Sequence, residues 1–217
     1  MDLIDRVAKT LAPHGLRPRG GFHPGAADQL AAATLVLVGN VGPAMWRAFQ
    51  RAGAELHAAH PLNHWSEQVI GAAARALGAT AVFPFQGPPY PPFQRWAQRA
   101  EAVSSSPLGI LIHPEFGLWH AYRGALLFPE HHALPPPDER PSPCRSCLEK
   151  PCLGACPVDA FRPEGYDVAA CRRHISTPAG GDCLTLGCRA RRACPIGRDY
   201  VYAPAQAEFH MAAFRDA

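Results

Sequence analysis

The chain has 217 residues, 47% of them hydrophobic, enough for a real core in one ordinary domain or in a domain with a small module beside it. A formal net charge of +3 is too modest to select a polyanionic partner, so no nucleic acid is expected. No stretch approaches the roughly eighteen apolar residues that a spanning helix needs, so no membrane association is expected either.

The first element is a helix. Leu3, Ile4, Val7 and Leu11 share one helical face, and Asp2, Asp5, Arg6 and Lys9 break any apolar run, which argues against a cleavable leader. Thr34 to Val38 is a short apolar run rich in β-branched residues and predicts a buried strand. Pro43 suits the first position of a helix that continues through Ala44 to Ala52 and stops at Gly53. Asn63 is placed to cap a second helix with Trp65, Val69, Ile70, Ala73 and Leu77 on its apolar stripe and Gly78 at its end. Thr80 to Phe85 predicts another strand, and Pro92 to Val103 a short helix. Gly109 to His113 and Trp119 to Phe128 predict two strands joined by a turn at Pro114 to Gly117. The sum is an α+β sandwich, helices against a mixed or antiparallel sheet.

The last two strands put His113, Phe116, Trp119, Tyr122 and Arg123 on one short segment. Aromatic rings beside a single planar cation suit the wall of a large flat ligand site. They equally suit an ordinary hairpin with Phe116 and Trp119 in the core and Arg123 in water. His60 and His64, in the loop leading to Trp65, are further candidates of the same kind, open to the same plain reading as loop and cap. No G-x-G-x-x-G follows the Thr34–Val38 strand, so a dinucleotide site has no support.

Proline clusters at Pro84 to Pro92 and again at Pro129 to Pro143. The second cluster sets the expected boundary near 130–143, with one domain over 1–135 and another over 136–217. All eight cysteines lie beyond it. They run Cys144-x2-Cys147-x4-Cys152-x3-Cys156-Pro157, then Cys171, then Cys183-x4-Cys188-x5-Cys194-Pro195. Two runs that each end in Cys-Pro are the signature of a bacterial-type two-cluster ferredoxin module with two [4Fe–4S] clusters. In such modules the fourth cysteine of a run ligates the other cluster. That assigns Cys144, Cys147, Cys152 and Cys194 to one cluster, and Cys156, Cys171, Cys183 and Cys188 to the other. Zinc is the rival, but four-thiolate zinc sites usually pair two C-x2-C units, and this chain has one. Disulfides also fit an even count, though disulfide scaffolds are small and secreted. The x4 gap in the first run departs from the x2 of bacterial ferredoxins. Between Arg140 and Tyr200 ten Arg or Lys face six Asp or Glu, an excess of four. Arg189, Arg191 and Arg192 are accordingly expected to neutralise anionic clusters.

Two resemblances sharpen these expectations. Residues 34–50, TLVLVGNVGPAMWRAFQ, and 109–129, GILIHPEFGLWHAYRGALLFP, resemble the CblC (MMACHC) proteins that process cobalamin, over most of residues 30–130. The resemblance implies a nitroreductase-like α/β sandwich, base-off cobalamin held over the sheet, and loss of its upper ligand, reductively for cyanide or with glutathione for alkyl groups. It also implies that Arg123 helps hold the thiol and that such domains often pair, here as a homodimer. The cysteine module is similar to that of epoxyqueuosine reductases (QueG) and corrinoid reductive dehalogenases, with Cys171 in Asp167-Val-Ala-Ala-Cys171-Arg172 standing where their lone intermediate cysteine does. CblC has no such module, and the other two are much longer and space their cysteines differently.

Together the resemblances imply a cobalamin-binding iron–sulfur oxidoreductase, a cobalamin reductase or decyanase. It would take electrons from a flavoprotein or a reduced ferredoxin and pass them singly to a corrinoid. Phe116, Trp119 and Tyr122 are then expected to pack the corrin, and Arg123 to hold a thiol carboxylate or a corrin amide. A ferredoxin without a corrinoid and a QueG-like reductase of an organic substrate remain the alternatives. Oxygen-sensitive clusters suit the reducing cytoplasm, where the protein is expected.

Overall fold

A computed structural model describes residues 1–53 and 59–217. In chain order the elements are α1 (Leu3–Leu11), β1 (Arg17–Phe22), β2 (Thr34–Val41), α2 (Ala44–Arg51), α3 (Pro61–Leu77), β3 (Thr80–Val82), α4 (Phe93–Ala100), β4 (Ser104–Ser105), β5 (Leu111–Ile112) and β6 (His120–Phe128). The cysteine region adds α5 (Pro151–Gly154), β7 (Phe161–Arg162), β8 (Gly165–Tyr166), α6 (Val168–Ile175), α7 (Gly181–Leu186), α8 (Arg189–Arg192) and α9 (Pro204–Asp216). No helix among the described residues is long and apolar enough to cross a membrane.

The chain divides into two compact units, and neither is one continuous segment. The first is 1–102 with 120–139; the second is 103–119 with 140–217. A single cut near 135 therefore leaves out the exchange of 103–119, which belongs with the cysteines.

The first unit is built on an antiparallel sheet ordered β1-β2-β6-β3. Every residue of β2 is buried, as a strand covered on both faces should be. Its apolar run is the expected Thr34–Val38 strand, extended to Val41. β1 was not legible, because Pro18, Gly20 and Gly21 mark a turn. It survives as an edge strand with a register shift between Pro18 and Gly21, where a proline costs no ladder bond. Helices α1 and α4 pack on β1, α2 on β2, and α3 on β3 and β6. Leu3, Val7 and Leu11 are the buried stripe of α1, as expected. The cap of α3 is different from the expected one. His60, left-handed at φ 52°, precedes Pro61, and Asn63 falls inside the first turn.

The expected hairpin across 109–128 does not form. β6 pairs with β2 and β3, whereas β5 pairs with β4. The turn between them closes on itself instead. His113 and Gly117 bridge, and the Glu115 and Phe116 amides donate to His113 Nδ1 at 3.1 and 3.2 Å. A side chain that satisfies two turn amides makes a self-contained corner, so the flanking strands are free to pair elsewhere.

In the second unit Leu108, Ile112, Leu118, Ala190 and Cys194 form a buried cluster against Cys144, Cys152, Cys156 and Cys188. Gly117 lies at its edge with φ +57°, and a Cβ there would meet the Ile196 carbonyl oxygen at 2.0 Å. Gly109 has φ +75° but open space around it. Gly117→Ala should therefore cost about 2–3 kcal/mol or more, and Gly109→Ala only the roughly 1 kcal/mol of backbone strain, as read from urea unfolding of the two variants.

Candidate metal centres and a buried ion-pair network

None of the eight cysteines is in a disulfide. Their mutual influence sorts them into two sets. Burial pushes the Cys144 thiol up, and the charges of Cys194, Cys152 and Cys147 push it further. Cys152 is raised by burial and then by Cys194 and Cys147, and Cys194 by burial with Cys147 adding to it. The other set is Cys171, raised by burial and by Cys156 and Cys183, and Cys188, raised by burial and by Cys183 and Cys171. Cys156, Cys171, Cys183 and Cys188 also line one pocket together.

Each quartet offers four thiolates, the number that one four-iron cluster takes. Four sulfurs out of water repel one another as anions, and a bound metal centre inverts that balance. Backbone amides already point at the sulfurs. Ala160 donates to Cys156 Sγ at 3.3 Å, the Arg191 and Ala190 amides lower Cys188, and the Ile196 amide lowers Cys194. Such bonds are among the features that set a cluster's potential. His174 lines the pocket of the second quartet, and its Nε2 is buried without a protein partner among the described residues. An N–H there suits a sulfide acceptor. Gln206, fully buried on α9 against α7, likewise has neither amide atom bonded among the described residues. Among the described residues no group of three His, Cys, Asp or Glu is placed to hold a single metal ion.

The arginines expected to neutralise clusters are engaged in other ways. Arg189 and Arg192 both reach Asp182 at 2.7 Å. Arg191 donates to the Leu118 carbonyl and lies over the rings of Trp119 and Tyr202. It ties the 103–119 segment to the cysteine segment inside the second unit.

The five residues grouped from the sequence as a corrinoid or thiol site fall in both units. His113, Phe116 and Trp119 are packed in the second, at 3%, 7% and 2% exposure. His113 stacks on Phe116, Phe116 meets Tyr200 edge-on, and Trp119 meets Tyr202. Those rings are core in the structure described, which is the plain reading of the segment. Tyr122 and Arg123 lie on β6 in the first unit. Arg123 is not solvated; it donates to Ser66 Oγ at 3.1 Å, to Asn63 Oδ1 at 3.0 Å and to the Leu62 carbonyl at 3.2 Å, which holds β6 to the first turns of α3.

Tyr122 leads to a network that the sequence did not reveal. Its hydroxyl donates to Glu101, which also accepts from Arg19 at 2.8 and 3.2 Å. Arg19 is 2% exposed and reaches the Asn40 carbonyl and His120 Nδ1 as well. Burial raises the Glu101 carboxyl, against the pull of Arg19 and Tyr122. Burial also raises the Tyr122 hydroxyl, and the Glu101 charge adds to that. The partners are 21 to 101 residues apart, and nothing local in the sequence signals such pairing.

The architecture is a CblC-like α+β fold. It is similar to the crystal structure of the C. elegans B12-trafficking protein CblC, a human MMACHC homologue, at TM-score 0.57 and 14% identity over 97% of this chain and 93% of that one. It is also similar to epoxyqueuosine reductase from Streptococcus thermophilus, at TM-score 0.54 and 12% identity over 95% of this chain and 70% of that one. The likeness extends well beyond residues 30–130. No family model matches the chain, and no curated protein matches it.

Removing one partner of a buried pair strands the other charge, which costs about 3–5 kcal/mol. Glu101→Leu should therefore destabilise the protein by that amount, and the double variant Arg19→Met with Glu101→Leu should recover most of it in urea unfolding.

Proposed function

We propose that the protein is an iron–sulfur reductase of a corrinoid. Cys144, Cys147, Cys152 and Cys194 hold one [4Fe–4S] cluster, and Cys156, Cys171, Cys183 and Cys188 hold the other. The observation that carries this reading is that all eight thiols are free and that Cys156, Cys171, Cys183 and Cys188 line one pocket. The corrinoid half is supported by the likeness in fold to a B12-trafficking CblC and to epoxyqueuosine reductase.

When bound, the clusters supply one-electron storage, and the corrinoid substrate supplies a cobalt whose reduction favours loss of an upper ligand such as cyanide or an alkyl group. The chain's own part is binding, orientation and potential. The amides of Ala160, Ala190, Arg191 and Ile196 donate toward the sulfurs of both quartets. Leu108, Ile112 and Leu118 keep water from the Cys194 side of the first. In the second, burial raises the Cys171 thiol and the Tyr166 hydroxyl, hydrogen-bonded to it, offsets part of that rise, a donor placed toward the sulfur. Electrons come from an external one-electron carrier, and the site is expected to work in the cytoplasm.

Anaerobic reconstitution should give about eight irons per chain. Cys144→Ser and Cys171→Ser should each keep about four, with different residual spectra. Adding hydroxocobalamin to the loaded protein should shift the corrinoid spectrum to its base-off form, and reductant should then convert it to a reduced cobalt form. Loaded clusters with an unperturbed corrinoid would leave a ferredoxin-type electron carrier. Zinc in place of iron and sulfide would remove the redox reading altogether.

A further inference from the structure

The two quartets differ in how they meet solvent. The second rings an enclosed pocket, with Cys183 only 5% exposed. The first lies under an open groove in the second unit, where Cys144 and Cys147 share the lining with Ser105, Arg145, Leu148 and Lys150. Strand β4 forms one wall, fixed to the cysteine segment by Ser104 Oγ donating to Ser142 Oγ at 2.7 Å. The lining carries two cations and no carboxylate. Among the described residues neither Arg145 nor Lys150 forms an ion pair, unlike Arg189 and Arg192, which both hold Asp182. Leu148 is 91% exposed, the most exposed large apolar side chain among the described residues. An exposed apolar side chain and two cations in a groove that Cys144 and Cys147 also line have the composition of a contact patch for a protein of opposite charge.

We propose that this groove is the docking site of an acidic one-electron carrier protein, and that electrons enter through the first quartet. The inference rests on the cluster reading above. One electron leaves the reduced centre of the carrier, which is oxidised, and arrives on the first cluster, which is reduced; no bond changes and no proton moves. Arg145 and Lys150 steer the carrier, and Leu148 supplies the apolar contact that holds it in register.

The test uses the reconstituted full chain, checked for iron and sulfide. A pre-reduced plant-type [2Fe–2S] ferredoxin is the acidic carrier, and photoreduced deazaflavin is a small uncharged reductant. Stopped-flow bleaching of the clusters is followed with each. Charge complementarity steers association by factors of roughly ten to a thousand, and salt screens it. The ferredoxin rate should therefore fall as salt rises, and Arg145→Glu with Lys150→Glu should lower it about tenfold or more and flatten its salt dependence. The deazaflavin rate and the iron content should not change. Leu148→Glu, at a side chain 91% exposed, should slow the ferredoxin reaction alone and guards against a loading defect in the charge variant. Equal slowing with both reductants, or none with ferredoxin, overturns the docking site while the clusters stand. A chain that binds no iron and sulfide overturns the cluster reading and the docking site with it. Failure to bind hydroxocobalamin removes the corrinoid and leaves the docking site intact.

Discussion

Like-charged sulfurs drawn out of water repel one another, and that constraint shapes the whole second unit. Burial pushes up the thiols of Cys144, Cys152, Cys171, Cys188 and Cys194, and the charges of neighbouring cysteines push each further. Such groups are stable as neutral thiols or as ligands of a cationic centre, and binding a centre is then coupled to folding. Four amides donate toward sulfur, and a histidine nitrogen is buried beside the second quartet without a protein partner among the described residues.

The elements around the quartets are short. α5 and α8 have four residues each and β7 and β8 two each, too few to be stable by propensity. What holds the unit is its small core, the Arg191 contact to Leu118, and the paired Arg189–Asp182–Arg192 group.

The first unit is organised by a different interaction. Its central strand, β2, is apolar at almost every position, and β6 pairs along its whole length. At the end of that pairing nearest His120 the core becomes polar, with Arg19, Glu101, His120 and Tyr122 satisfying one another out of water. Buried groups of this sort are costly unless fully bonded, and they are retained where register or function requires them. Here they fix β1, β6 and the residue after α4 in one arrangement.

Local chemistry was legible in the sequence. The periodicity of α1, the apolar run of β2, the proline start of α2 and the glycine end of α3 are properties of a few adjacent residues, and the structure keeps them. The two cysteine runs that each end in Cys-Pro were legible too, being a property of adjacent residues. The pairing of β5 and β6 was not. Their residues predict strands, but which edge each strand finds is decided by long-range contacts, and the His113 turn satisfies its own amides and releases both. Only the tertiary structure moved 103–119 into the cysteine unit and turned Trp119 and Arg191 into a packing pair. Only it joined Arg19 to Glu101, since an ion pair across 82 residues leaves no trace in either neighbourhood.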